Sequence, residues 1–183
     1  MNVSGVQLKD PGFFDFVSDA ITASGIDPQK LELELTETAI VDCTPNILDK
    51  LAGLRDLGVT IAIDDFGTGY SSFRYLSSLP IDKIKIDQSF VRRMVVNSSD
   101  AAIVKGIIAI ARDLSLRVVV EGVETAEQWD FLKSEGCQVG QGYLFSMPLL
   151  EDDFIWMFRN KIKLPLIRDS HEDKFVPQSI SAE

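Results

Sequence analysis

The sequence predicts an α/β fold built from parallel βα units, and three observations carry that reading. From residue 31 to about residue 160, short period-two segments alternate with segments of helical periodicity. Six strand segments are found, counting one near the start of the chain. The last five of them each carry a polar group near the carboxyl end, at Glu34, Asp64, Lys85, Glu121 and Gln141. Carboxyl ends of strands are where a βα barrel builds its active site. A closed barrel has eight strands in typically about 250 residues, so six strands in 183 residues leave an open doubly wound sheet as the competing architecture. The first βα turn carries no glycine fingerprint for a nucleotide, which weakens that competitor.

Each element has a local cause. "NVSGVQL" (2–8) reads as a first strand and residues 11–24 as a helix. "KLELELTE" (30–37) alternates leucine with acid, the period of a strand with one buried face. Residues 45–57 form a helix opened by Pro45 and stopped by Gly58. "VTIAIDD" (59–65) is the next strand, and "SSFRYLSSL" (71–79) a short helix ending before Pro80. "DKIKID" (82–87) is a strand, and "NSSD" (97–100) caps a helix running through Leu114. The strand "LRVVVEGVE" (116–124), the helix "TAEQWDFLKSEG" (125–136), the strand "VGQGYLF" (139–145) and a helix from Leu150 to Asn160 complete the series. Residues 1–164 make one domain, and 165–183 read as a polar tail.

Composition narrows the functional classes. With 45% hydrophobic and 25% charged residues the chain is a globular protein able to bury a core. No apolar stretch approaches the eighteen or so residues of a membrane helix, and no signal-peptide pattern opens the chain, so a cytoplasmic location is expected. The net charge of −10 repels nucleic acid and anionic membranes, so neither is an expected partner. Cys43 and Cys137 lack metal-type spacing and read as packing thiols. The single histidine, His171, falls in the tail, which argues against a histidine-based nucleophilic or zinc site. "IVKGIIAIA" (103–111) reads most simply as the buried stripe of an amphipathic helix, with an interface as the alternative.

Alternation also sorts the polar residues. In "LELEL" the leucines share one face while Glu32 and Glu34 share the other. Ala62 and Asp64 share a face in the next strand, and Lys83, Lys85 and Asp87 in the one after. If the aliphatic faces pack on helices, Glu34, Asp64, Asp65 and Glu121 crowd one mouth, where carboxylates cannot all stay ionised uncompensated. Lys85 offers one positive charge against those four acids. Protonation, a paired structural network at the strand ends or bound cations can compensate; hard divalent cations bound through oxygen are favoured, Mg²⁺ or Mn²⁺ rather than zinc. Phe66, Tyr70 and Tyr143 are candidates either for stacking on a base or for core packing.

"NVSGVQL", "LELELTET", "IAIDDFGTGYSSFRYLSSLPIDKIKIDQSFV", "VVVEGVET" and "GQGYLFSMPL" together resemble the EAL-domain family, bacterial phosphodiesterases that hydrolyse cyclic di-GMP. The match runs from residue 2 to about residue 160 and keeps the order of all five motifs. The resemblance implies a modified TIM barrel holding two Mg²⁺ or Mn²⁺ ions, with the linear dinucleotide pGpG as product. It implies Asn2, Glu34 and Asp64 as ligands of the first ion, with Asp64 bridging to a second that Asp65 and Glu121 help to hold. It assigns Lys85 to the attacking water, Gln141 to the site around that water, and Glu121 a part in general base chemistry. Glu37 resembles the glutamate that props the loop containing Gly67 and Gly69, and Glu124 lies in a motif contributing to the same mouth.

One departure from the family pattern shapes the functional expectation. The Glu-Ala-Leu tripeptide that names the family occurs nowhere in the 183 residues, and Asn2 follows directly on Met1. The expected fold is therefore an incomplete TIM-type barrel lacking its first strand and helices. An uncovered strand edge invites a homodimer or a partner protein. Asn2, beside a free amino terminus, is expected to be poorly anchored. Hydrolysis by the chain as written is expected to be weak or absent. The alternative is a catalytically inactive module acting by protein–protein interaction or cyclic di-GMP binding.

Overall fold

The computed structural model describes residues 1–41, 44–69 and 76–162. Strands β1 (Asn2–Val3), β2 (Glu32–Thr36), β3 (Thr60–Phe66), β4 (Lys83–Ile86), β5 (Arg117–Val120) and β6 (Val139–Gly140) form one sheet. All adjacent pairs are parallel. Their order across the sheet is their order in the chain, with β1 and β6 outermost. A doubly wound sheet reverses at a switch point, whereas a barrel adds each strand on the same side of the last, so the winding is that of a barrel.

Among the described residues there are eight α-helices, α1 (Gly5–Lys9), α2 (Phe13–Ser24), α3 (Glu37–Val41), α4 (Pro45–Asp56), α5 (Gln88–Arg93), α6 (Ser98–Asp113), α7 (Ala126–Ser134) and α8 (Glu151–Arg159), and one 3-10 turn at Pro28–Lys30. Among the described residues, no helix is long and apolar enough to cross a membrane. The aliphatic faces of the strands make the core: Leu33, Leu35, Ile61, Ile84 and Ile86 are 0% exposed. They join Leu51 and Leu54 of α4, Val104 and Ile107 of α6 and Leu132 of α7 in one buried cluster. Burying a side chain of this size contributes roughly 1.5–3 kcal/mol. The opposite, polar strand faces are thereby left to line the interior of the barrel.

Several elements differ from the sequence expectations, each for a local reason. "NVSGVQL" is a strand only at Asn2–Val3, because Ser4 and Gln7 form a capping box that starts α1. Asn2 is not poorly anchored: the Met1 amino group donates to Glu32 O at 2.8 Å, and Glu34 N donates to Met1 O at 2.9 Å. Asp87 does not extend β4 but caps α5, its side chain accepting from Ser89 N. Helices α3 and α5 were not anticipated, and the strands expected over 116–124 and 139–145 stop at Val120 and Gly140. They stop because Gly122 and Gly142 follow at φ +67 and +156, turning the chain out of the sheet. Cys137 is the buried packing thiol expected, and burial pushes its pKa up. Cys43, Tyr70, His171 and the tail lie outside the described residues, as does most of the helix expected over 71–79.

Candidate active site

The site begins with an irregularity in β3. Ala62 pairs with Lys83 and Ile63 with Ile84, but the register then shifts before Phe66 meets Ile86. The extra length is taken up at Asp64 and Asp65, and Asp65 adopts a left-handed backbone with φ 54. In a regular strand, neighbouring side chains point to opposite faces. The bulge turns the second acid back toward the first. As a result, carboxylate oxygens of Asp64, Asp65 and Glu121 lie within 4.8 Å of one another.

Lys85, 7% exposed on β4, stands at the centre of the acids. Its Nζ is 2.8 Å from Glu121 Oε1, 2.9 Å from Asp64 Oδ1 and 3.0 Å from Glu34 Oε1. Burial works against the lysine's charge, but its bonds to Glu121, Asp64 and Glu34 outweigh that cost and hold its pKa above the ordinary lysine value. Burial raises the pKa of Glu121, Lys85 offsets part of the rise, and Asp64 and Asp65 add to it. Asp65 is raised for similar reasons: burial first, then the charges of Asp64 and Asp87. Asp87 therefore belongs to the site: its charge raises the pKa of Asp65 while its side chain caps α5. The sequence signal was available in an acid directly after a strand, with Ser89 two residues on to receive the cap.

The remaining candidates surround this cluster. Asn2 sits opposite Glu34 in the β1–β2 register, bringing its amide to the same row. Glu37, 3% exposed, accepts hydrogen bonds at Oε2 from Gly67 N at 2.8 Å and Gly69 N at 3.3 Å. A Cβ on Gly69 would sit 2.6 Å from Glu37 Oε1, so this turn admits glycine only while the carboxylate stays in place. Gln141 borders a cavity of about 420 Å³ that Glu32, Glu34, Lys83 and Lys85 also line. Lys83 and Glu32 pair with each other within that cavity's wall. Glu124 is not drawn into the carboxylate cluster; it lies 3.5 Å from Arg92 at the surface. Phe66 is 1% exposed and packs in the core, whereas Tyr143 is 62% exposed.

The residues present fit a divalent cation. Asp64 Oδ1 is buried and makes no hydrogen bond of good geometry, its contact with Lys85 being an ion pair off the hydrogen-bond directions. Three carboxylates converge there with one ammonium to balance them. An all-oxygen donor set of this kind suits hard ions such as magnesium or manganese.

Comparison with known proteins bears on the same residues. The model of the EAL domain family matches residues 1–148. The cyclic di-GMP phosphodiesterase NbdA of Pseudomonas aeruginosa is 44% identical over 149 residues, which are 81% of this chain and 19% of NbdA. The MucR phosphodiesterase solved in complex with c-di-GMP superposes with a TM-score of 0.79 at 41% identity, covering 84% of this chain and 62% of that one. BlrP1 of Klebsiella pneumoniae, solved with manganese and cyclic di-GMP at pH 9.0, gives a TM-score of 0.73 at 37% identity, covering 80% of this chain and 38% of BlrP1. The chain thus spans a minor part of the curated relatives it matches.

Proposed function

The chain belongs to the EAL domain family of cyclic di-GMP signalling, and on that premise we propose that its acidic mouth binds divalent cations and cyclic di-GMP. The reaction class is hydrolysis of one phosphodiester bond, giving the linear dinucleotide pGpG. The observation that carries this reading is the meeting of Asp64, Asp65 and Glu121 within 4.8 Å beside Lys85. The cyclic di-GMP in MucR and the manganese in BlrP1 support the choice of ligand and ion.

Asn2, Glu34, Asp64, Asp65 and Glu121 would hold the cations, Mg²⁺ or Mn²⁺. When bound, such ions acidify water and offset the charge that builds on the phosphoryl oxygens. The chain's own groups do the rest. Lys85 offsets part of the mouth's negative charge before ligands enter and then orients the attacking water. Glu121, whose burial raises its proton affinity, takes up the proton of that water. Gln141 borders the same cavity and contributes to the site around that water. Glu37 holds the Gly67–Gly69 turn beside the ligand through its two backbone hydrogen bonds. Glu124 with Arg92 marks the rim.

A second reading is a binding module without turnover, acting through the dinucleotide or through a homodimer or partner protein on the outer strands. One observation favours it: Lys85 pairs with Glu34, Asp64 and Glu121, three of the carboxylates proposed to hold the cations.

Calorimetry with Mn²⁺ and then cyclic di-GMP, followed by chromatography of the nucleotide, separates the two. Slow conversion to pGpG that Asp64→Ala abolishes is the expected result. Saturable dinucleotide binding without conversion would select the second reading. Absence of binding by both ion and nucleotide would defeat the proposal.

A further inference from the structure

We infer that Gln128 is a positioning residue that sets the place of Glu121 in the mouth by holding the loop that carries it. This inference rests on the proposed use of the mouth as a cation site. Residues 121–125 join β5 to α7 without regular structure of their own, so their path depends on outside bonds. Glu121 N donates to Ile86 O at 3.1 Å, Val123 N donates to Gln141 O at 3.0 Å, and Val123 O accepts from Leu144 N at 3.0 Å. A further anchor is the Gln128 side chain, 6% exposed inside the protein.

Its amide is used at both ends. Oε1 accepts from Glu124 N at 2.7 Å and from Thr125 N at 3.0 Å, while Nε2 donates to Val91 O of α5 at 3.3 Å. A helix cap needs only the Thr125 bond. The bonds to Glu124 and Val91 go further, fastening the loop to α5. Gly122 shows how closely the two meet: a Cβ there would lie 2.4 Å from Gln88 Cβ of the same helix. At its start α5 is capped by Asp87, directly after β4, the strand that carries Lys85. One buried amide thereby references the loop of Glu121 to the helix that follows Lys85, although it contacts neither residue. Outer residues that orient ion-binding side chains typically change affinity 10–100-fold when removed.

The test is an Mn²⁺ titration of the full chain by calorimetry, with melting followed in parallel. Gln128→Met keeps the length and removes every polar contact; it should weaken Mn²⁺ binding about tenfold. Gln128→Glu keeps the acceptor for both loop N–H groups and should recover part of the loss. Leu132→Ala, a 0% exposed packing position on the same helix, should lower the melting temperature yet leave Mn²⁺ affinity within about twofold of wild type. Wild-type affinity in Gln128→Met, or an equal loss in Leu132→Ala, would overturn the inference. If Gln128→Met does not fold, amide exchange in the wild-type chain decides: slow exchange at Glu124 and Thr125 is expected, and fast exchange overturns it. A wild-type chain that binds no Mn²⁺ would instead remove the proposed function, and this inference with it.

Discussion

Lys85 Nζ lies 2.8 Å from Glu121 Oε1, joining β4 to the end of β5, and the same ammonium reaches Asp64 and Glu34 at 2.9 and 3.0 Å. One buried cation therefore ties together groups from three other places in the chain. The mouth is held in shape by an ion pair network that still carries excess negative charge. That combination makes its stability and its ligand affinity depend on each other.

Lys85→Met should show the dependence directly. Removing the ammonium leaves carboxylates facing one another, and the metal-free fold should lose about 3 kcal/mol. Mn²⁺ should restore part of this, because an ion that binds only the native state stabilises it. Urea denaturation with and without Mn²⁺ measures both effects; identical losses in the two conditions would contradict the account.

Asp65→Asn should stabilise the metal-free protein while weakening Mn²⁺ binding. The folded-state pKa of Asp65 is raised above its ordinary 3.8 by burial, Asp64 and Asp87. A raised acid keeps its proton longer in the native state, so its favourable contribution is present at low pH and is lost as pH rises through the folded value. The asparagine advantage should therefore vanish below about pH 3.8 and appear above the raised value, at neutral pH as a melting increase of about 1–3 °C. Asparagine also accepts the left-handed backbone at φ 54. Melting curves across pH decide it, and a lower melting temperature at pH 7 would be the contrary result.

Glu37→Ala should loosen the turn after β3. The change leaves Gly67 N and Gly69 N without the carboxylate that now accepts from both. Each amide should lose exchange protection, and the fold should be weaker by about 1–3 kcal/mol. Hydrogen exchange read at those two amides checks this; unchanged protection would mean that the turn holds itself.

Much of this molecule was readable along the chain. Leu33 and Leu35 alternate with Glu32 and Glu34 because a pleated strand has two faces, and that alternation needs no knowledge of the partner strands. The same reasoning located Asp64, Lys85 and Glu121 near strand ends. Parallel pairing of all neighbouring strands settled their convergence, since it brings every carboxyl end to the same side of the sheet. Short helices were harder to anticipate. α5 has six residues, too few for a periodicity signal, and its start depends on the single capping bond of Asp87.

Local pattern alone thus dictated the βα alternation, the buried aliphatic faces and the polar strand tips, because each follows from residue spacing and backbone geometry. Assembly decided how adjacent acids cooperate. Regular alternation would have parted Asp64 from Asp65, and only the register shift against β4, with Asp65 in a left-handed turn, places both beside Glu121. The contact of Gln128 with Val91, 37 residues earlier, was likewise invisible in one dimension. Both arise from packing between segments far apart in the chain, which no local preference encodes.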